Sequence, residues 1–155
     1  MKQTTLATAS FDQYAKKTRR AAFLAEMNQV VPWAKLCDLI APHYSKVRNG
    51  RPAIGLERML RLYFLQQWFN LSDAAVEETL YESVSMRDFV SIDLGCEPVP
   101  DETTVCQFRH FLERHELGRR IFEEVGRHLQ KRGMQVADGM IVDAVIIAAS
   151  PSISR

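Results

Sequence analysis

One acidic residue, Asp143, interrupts an apolar segment near the end of the 155-residue chain. Its neighbours Ile141, Val142, Val145 and Ile146 are β-branched residues of the kind that favour a strand. An ionised carboxylate left unpaired among them would lose several kcal/mol of solvation. Mg²⁺ compensates such a charge, because this hard cation takes oxygen ligands. The pattern is compatible with a metal-ligand role for Asp143, but residue type and spacing alone favour an aspartate at a strand edge whose side chain reaches solvent.

Basic side chains form a second candidate site, because lysine and arginine neutralise the phosphates of nucleic acids. They occur in an arm near the start of the chain, in a Gly- and Pro-containing loop, and on two helices expected within residues 101–132. If these residues face one duplex they form a DNA-binding surface, and if they point in several directions they are only solubilising charges. The residues are Lys16, Lys17, Arg19, Arg20, Lys46, Arg48, Arg51, Arg109, Arg114, Arg119, Arg120 and Arg127.

Charge is segregated along the chain, although the total is only +1. Residues 1–61 contain eleven Lys or Arg against four Asp or Glu, whereas residues 62–104 contain one against nine. Residues 105–155 return to eight against six. Such segregation lets a basic face meet a polyanion while an acidic face stays clear of it. Ordinary solvated helix faces explain the charges alone equally well.

The cysteines and histidines support no metal site of their own. The three cysteines, Cys37, Cys96 and Cys106, are odd in number and match no paired-ligand spacing, which favours a reducing, cytoplasmic setting. Cys106 and His110 lie one helical turn apart, but structural zinc needs paired cysteines that are missing here. The chain shows neither the apolar core of a signal peptide nor the roughly 20 apolar residues of a membrane span.

Apolar periodicity predicts the helices that must position these residues. They are expected at 21–30, 32–40, 56–69, 74–81, 83–89, 101–114 and 116–132, with a loop at 45–52 and a break at 91–100. Ser72 and Asp101 are predicted N-caps. Trp33, Trp68 and Phe108 are predicted to lie in the core rather than to stack on bases. The last two helices have the outline of a helix-turn-helix, and residues 140–149 are predicted to form a strand.

Two motifs in this order resemble a known family. Residues 100–117 read PDETTVCQFRHFLERHEL, and residues 141–149 read IVDAVIIAA. Together with residues 50–68 and 71–73, they are similar to bacterial insertion-sequence transposases of the family named for insertion sequence five. The resemblance extends from about Phe11 to the end of the chain.

The resemblance implies a DDE-type DNA transfer enzyme, whose ribonuclease-H-like domain holds two Mg²⁺ between two aspartates and a glutamate. Asp143 matches the first of these carboxylates. Residues 1 to about 133 match the region that binds terminal inverted repeats. The sequence stops at Arg155 without the other two carboxylates. The expectation is therefore that this chain alone has no strand-transfer activity.

The expected fold is mainly α-helical and bundle-like, with a helix-turn-helix-like pair and then one β-strand from an incomplete α/β catalytic domain. The expected organisation is a flexible basic arm over 1–20, a helical DNA-binding region over 21–133 and the strand segment over 138–155. The leading expectation is a truncated transposase that binds double-stranded DNA at transposon ends. The alternatives are a helix-turn-helix regulator, and an interaction module that oligomerises with full-length transposase and poisons it.

Overall fold

A computed structural model of the protein describes residues 14, 16–44 and 55–132, together with the backbone of residues 47–48 and 51–52. Seven α-helices lie in this part: α1 (Arg19–Val30), α2 (Trp33–Ile40), α3 (Leu56–Phe69), α4 (Asp73–Glu82), α5 (Val84–Val90), α6 (Glu102–Arg114) and α7 (Leu117–Lys131). A 3₁₀ turn (Ala41–His43) follows α2, and β1 (Val47–Arg48) pairs antiparallel with β2 (Arg51–Pro52) inside the predicted loop. The mainly helical expectation is confirmed for these residues. The predicted strand over 140–149, most of the basic arm and the boundary near residue 133 lie outside them.

Helix starts follow the local capping chemistry that the sequence predicts. Ser72 Oγ accepts a hydrogen bond from the Ala75 backbone N–H at 3.0 Å, and Asp101 Oδ1 accepts one from Thr104 at 2.8 Å. Both predicted N-caps are therefore confirmed. Each satisfies a backbone donor that the first turn of a helix would otherwise leave unpaired.

Loss of the Ser72 cap is expected to destabilise the protein measurably. Ser72→Ala removes the acceptor of the Ala75 N–H, which should lower the free energy of unfolding by about 1 kcal/mol. Ser72→Asn keeps a capping oxygen and serves as the matched control. Urea denaturation of the three proteins provides the measurement, and equal midpoints for Ser72→Ala and the wild type would contradict this role.

The core is built around α3, whose apolar residues occupy most of its circumference. Its buried residues include Met59, Leu60, Phe64, Leu65 and Trp68. Edge-to-face aromatic contacts attach neighbouring helices to this centre, with ring centroids 5.2 Å apart for Phe23 and Trp68 and 5.3 Å apart for Trp33 and Phe64. The predicted core positions of Trp33, Trp68 and Phe108 are confirmed, because all three side chains are buried.

The helix pair at the end of the described region rests on this bundle. α6 packs against α3 and α4, whereas α7 packs against α2 and α6. One apolar stripe of α7, formed by Leu117, Ile121, Val125 and Leu129, is buried. Within the described ranges, no helix has the length and apolar character needed to cross a membrane.

Candidate nucleic-acid interface

Two residues, His115 and Glu116, connect α6 to α7. The Glu116 N–H donates to the Glu113 carbonyl at 3.1 Å, and Glu116 adopts a left-handed backbone conformation with a φ of 53°. A side chain at such a φ is uncommon and marks a sharp change of chain direction. The expected pair of helices joined by a very short turn is therefore present, with its basic residues on both sides of the turn.

A partly buried polar network fixes α6 on the bundle. Arg109 donates from Nε to Asp73 Oδ1 at 3.2 Å and from Nη2 to Asp73 Oδ2 at 2.9 Å. Gln66, a residue of α3 that is 5% exposed, donates from Nε2 to Asp73 Oδ1 at 2.9 Å. The hydrogen bonds from Arg109, with a further one from Gln66, outweigh the effect of burial and lower the pKa of Asp73 to about 2. Three helices thus meet at one carboxylate.

This network gives Arg109 partners that sequence reasoning did not find. Its third donor group, Nη1, lies 3.4 Å from Glu113 Oε1, and the side chain is 34% exposed. Asp73 precedes Arg109 by 36 residues, and in the sequence it belongs to a series of acids that is typical of a solvated helix face. Arg109 therefore positions α6, and its predicted contact with a DNA phosphate stays a prediction.

Asp73 should make the stability of the protein depend on acid pH. The folded-state pKa of about 2 lies below the ordinary value of 3.8, so its stabilising contribution is complete above about pH 4 and is lost as the pH falls towards 2. Asp73→Asn should lower the free energy of unfolding at pH 7 by about 2 kcal/mol, because Arg109 loses a charged, bidentate partner. Urea denaturation at a series of pH values provides the measurement.

The difference in the free energy of unfolding between Asp73→Asn and the wild type should shrink as the pH falls from 4 to 2. Glu78→Gln, which removes a carboxylate from the exposed side of α4, is the matched control and should change stability little at any pH. A constant difference between Asp73→Asn and the wild type across this range would contradict the assignment.

On α7, two of the predicted DNA-binding arginines carry local carboxylate partners. Arg119 Nε donates to Glu123 Oε1 at 3.0 Å, and the Arg119 side chain is 87% exposed. Arg127 pairs with Glu124, and this hydrogen bond lowers the pKa of the Glu124 carboxyl. Exposed pairs one turn apart contribute only about 0.5 kcal/mol. Both arginines can therefore leave their partners for a phosphate at small cost.

Arg114 and Arg120 lie on either side of the turn between the helices. Both side chains are exposed, and neither forms a hydrogen bond or ion pair with another described residue. Arg114 ends α6, and Arg120 lies in the first turn of α7. Lys131 and Arg132 add exposed positive charge at the other end of α7. The corner between the helices thus carries two cations that are available to an anionic ligand.

The remaining predicted DNA contacts are only partly described. Lys16 and Lys17 are exposed, whereas the Arg20 guanidinium lies 5.3 Å from the centre of the Phe69 ring. Arg19 is exposed and interacts with its surroundings. The structure places the backbones of Arg48 and Arg51 opposite each other in the small β-ladder. Lys46, the side chains of the ladder and the predicted metal ligand Asp143 lie outside the described residues.

Aromatic contacts fasten the segment after α2 to α6. The rings of His43 and His115 are 4.8 Å apart, and the Tyr44 ring is 5.7 Å from that of Phe111. No spacing in the sequence predicts these contacts, because they join residues about 70 positions apart. They place Tyr44, the last described residue before the basic loop, beside α6.

The described ranges offer no ready metal centre. They contain no group of three or more His, Cys, Asp or Glu side chains that could hold an ion. Cys106 Sγ lies 3.9 Å from His110 Nε2, a weak contact within one helix turn.

A family model described as a transposase domain (DUF772) matches residues 11–111, about two thirds of the chain. The match includes α1 to α5 and most of α6, and it ends before the turn that leads to α7. No solved structure matches the chain.

Proposed function

Because the chain belongs to the transposase domain family DUF772 and has a transposition-related role, we propose that its helical region binds duplex DNA at the ends of a transposable element. The observation that carries this proposal is the corner between α6 and α7, where Arg114 and Arg120 are exposed and pair with no carboxylate in the part of the chain that the structure describes. Duplex DNA presents closely spaced phosphates, and binding at such cations releases condensed counterions.

The distribution of charge supports one orientation of the DNA. The exposed surfaces of α4 and α5 include Glu78, Glu82 and Asp88, and their region of the sequence is strongly acidic. A polyanion is repelled from that side and attracted to the basic corner. The basic arm and the loop after Tyr44 supply additional positive charge in the sequence, which suits a duplex longer than the corner itself.

The rigidity of the corner supports binding as well. α6 is held by the Arg109–Asp73 pair and α7 by its buried apolar stripe, so their basic side chains start from fixed backbone positions. A preorganised surface loses less conformational entropy on binding than a flexible one. No catalytic step is assigned to the helical region, and the magnesium-ligand role of Asp143 stays a prediction.

The proposal is tested by fluorescence anisotropy with the full chain at roughly 150 mM salt. One duplex carries the terminal inverted repeat that flanks the coding sequence, and a second carries the same bases in scrambled order. We expect at least about 100-fold tighter binding to the terminal repeat, because specific sites commonly exceed random DNA by more than this factor. Equal affinities for the two duplexes would contradict transposon-end recognition. A preference for a symmetric operator with half-sites one helical turn apart would instead favour a regulator.

A further inference from the structure

We propose that the outward face of α6 reads base edges in the major groove, with Gln107 and Arg114 as the specificity residues. This inference rests on the proposed DNA-binding function, and it assigns the sequence preference of DNA binding to α6. In a helix-turn-helix the second helix usually enters the groove. Here the side chains and their partners favour the first helix of the pair instead.

Exposed residues on α6 recur at the spacing of one helix face. Thr103, Gln107, His110 and Arg114 are all exposed, and they follow one another at intervals of four, three and four residues. The buried residues Val105, Phe108 and Leu112 occupy the opposite side. From Thr103 to Arg114 the face extends roughly 16 Å along the helix axis, which corresponds to about five base pairs.

The chemistry of this face suits base recognition. Glutamine makes a bidentate hydrogen-bonded pair with adenine, and arginine makes one with guanine. Threonine can hydrogen-bond to a base edge through its hydroxyl or pack its methyl group against the methyl group of thymine. None of the four residues carries a negative charge. Gln107 and Arg114 form no hydrogen bond with other described residues, so their donors are available to a ligand.

Three carboxylates near α6 already have partners, whereas the exposed Glu102 carboxylate has none among the described residues. Asp101 Oδ1 accepts the Thr104 N–H, and Glu113 lies 3.4 Å from Arg109. Glu77 Oε1 accepts the Glu102 N–H at 2.6 Å. Of these contacts, the ion pair with Arg109 offsets a negative charge beside α6.

The outward face of α7 differs from that of α6. Its cations alternate with acids, because Arg119 pairs with Glu123 and Arg127 with Glu124. Carboxylates inside a major groove would face the phosphates that line it. α7 is therefore suited to contact the sugar-phosphate backbone from outside, with Arg120 as a phosphate ligand.

Contacts on both sides hold α6 at a fixed rotation. The bidentate pair of Arg109 with Asp73 joins one side of the helix to α4, and the contact of Tyr44 with Phe111 holds another side. Direct reading requires such a fixed rotation, because bidentate pairs form only when the side chain meets the base edge in one plane. The network described above thus determines which residues of α6 face outward.

The test is selection of bound duplexes from a randomised library by the full chain, followed by sequencing. The wild type is compared with Gln107→Ala, Arg114→Lys and Arg120→Lys. Arg114→Lys keeps the charge and removes the planar fork that recognises guanine, whereas Arg120→Lys makes the same change on α7. We expect Arg114→Lys to reduce the preference for guanine at one position by roughly tenfold, and Gln107→Ala to do the same for adenine at another.

Arg120→Lys should leave every base preference unchanged, and the salt dependence of binding should be the same for both lysine variants. If the wild type selects a sequence and both α6 variants select the identical sequence, the reading role of α6 is overturned while DNA binding stands. A change of preference in Arg120→Lys alone would assign reading to α7 and also overturn the inference. A wild type that binds no duplex would reject the proposed function itself.

Discussion

Ile121→Ala is expected to lower the free energy of unfolding by about 3 kcal/mol, the largest single effect on stability that we predict. Ile121 has no solvent exposure and lies in the middle of the apolar stripe that joins α7 to α2 and α6. Alanine removes buried methylene groups and leaves a cavity that the surrounding helices fill only in part. Urea denaturation followed by circular dichroism provides the measurement.

Arg119→Ala is the matched control for Ile121→Ala, because it changes the opposite side of the same helix. Arg119 is 87% exposed and makes a surface ion pair, so we expect its removal to lower the free energy of unfolding by less than about 0.5 kcal/mol. If Ile121→Ala lowered the free energy of unfolding no more than this control, α7 would not be packed on the bundle as described. The surface proposed for DNA binding would then lack its rigid support.

The double variant Arg114→Ala with Arg120→Ala is expected to weaken binding to terminal-repeat DNA by about 100-fold. Each charge-assisted contact contributes about 1.5 kcal/mol, and the two together correspond to about two powers of ten in the dissociation constant. The slope of log affinity against log salt should fall by about 1, because Arg120 loses its phosphate contact whereas the contact of Arg114 is to a base edge. Anisotropy titrations at several salt concentrations measure both quantities.

Asn28→Asp combined with Gln29→Glu provides the control for net charge. Both residues are exposed on α1, a helix that packs against α5, and the pair of changes lowers the net charge by the same amount. We expect this control to weaken binding less than about threefold, with an unchanged salt slope. If it weakened binding as much as the arginine variant, the DNA would respond to total charge rather than to the corner.

Local features of the fold can be predicted from the sequence because short-range chemistry determines them. Ser72 and Asp101 cap helices through backbone groups three residues away, and α3 is central because apolar residues cover most of its surface. The break over 91–100 follows from its glycine and prolines. These features need no knowledge of which helices meet.

The contacts that shape the candidate site could not be predicted in the same way. Arg109 and Asp73 are 36 residues apart, and an aspartate among other acids on a helix resembles a solvated residue until the packing of α4 against α6 is known. The contact between His43 and His115 is similarly distant in the chain. The sequence therefore identified the basic residues, whereas only the structure separates Arg109, which positions α6, from Arg114 and Arg120, which face solvent.

The most direct test of DNA binding by the helix pair is photocrosslinking from single positions of the full chain bound to terminal-repeat duplex. A photoreactive amino acid at position 107, on the exposed face of α6, is compared with the same group at position 78 on the acidic side of α4. We predict strong crosslinking to DNA from position 107 and background levels from position 78. Crosslinking from position 78, with none from position 107 in a complex that still binds, would contradict the account.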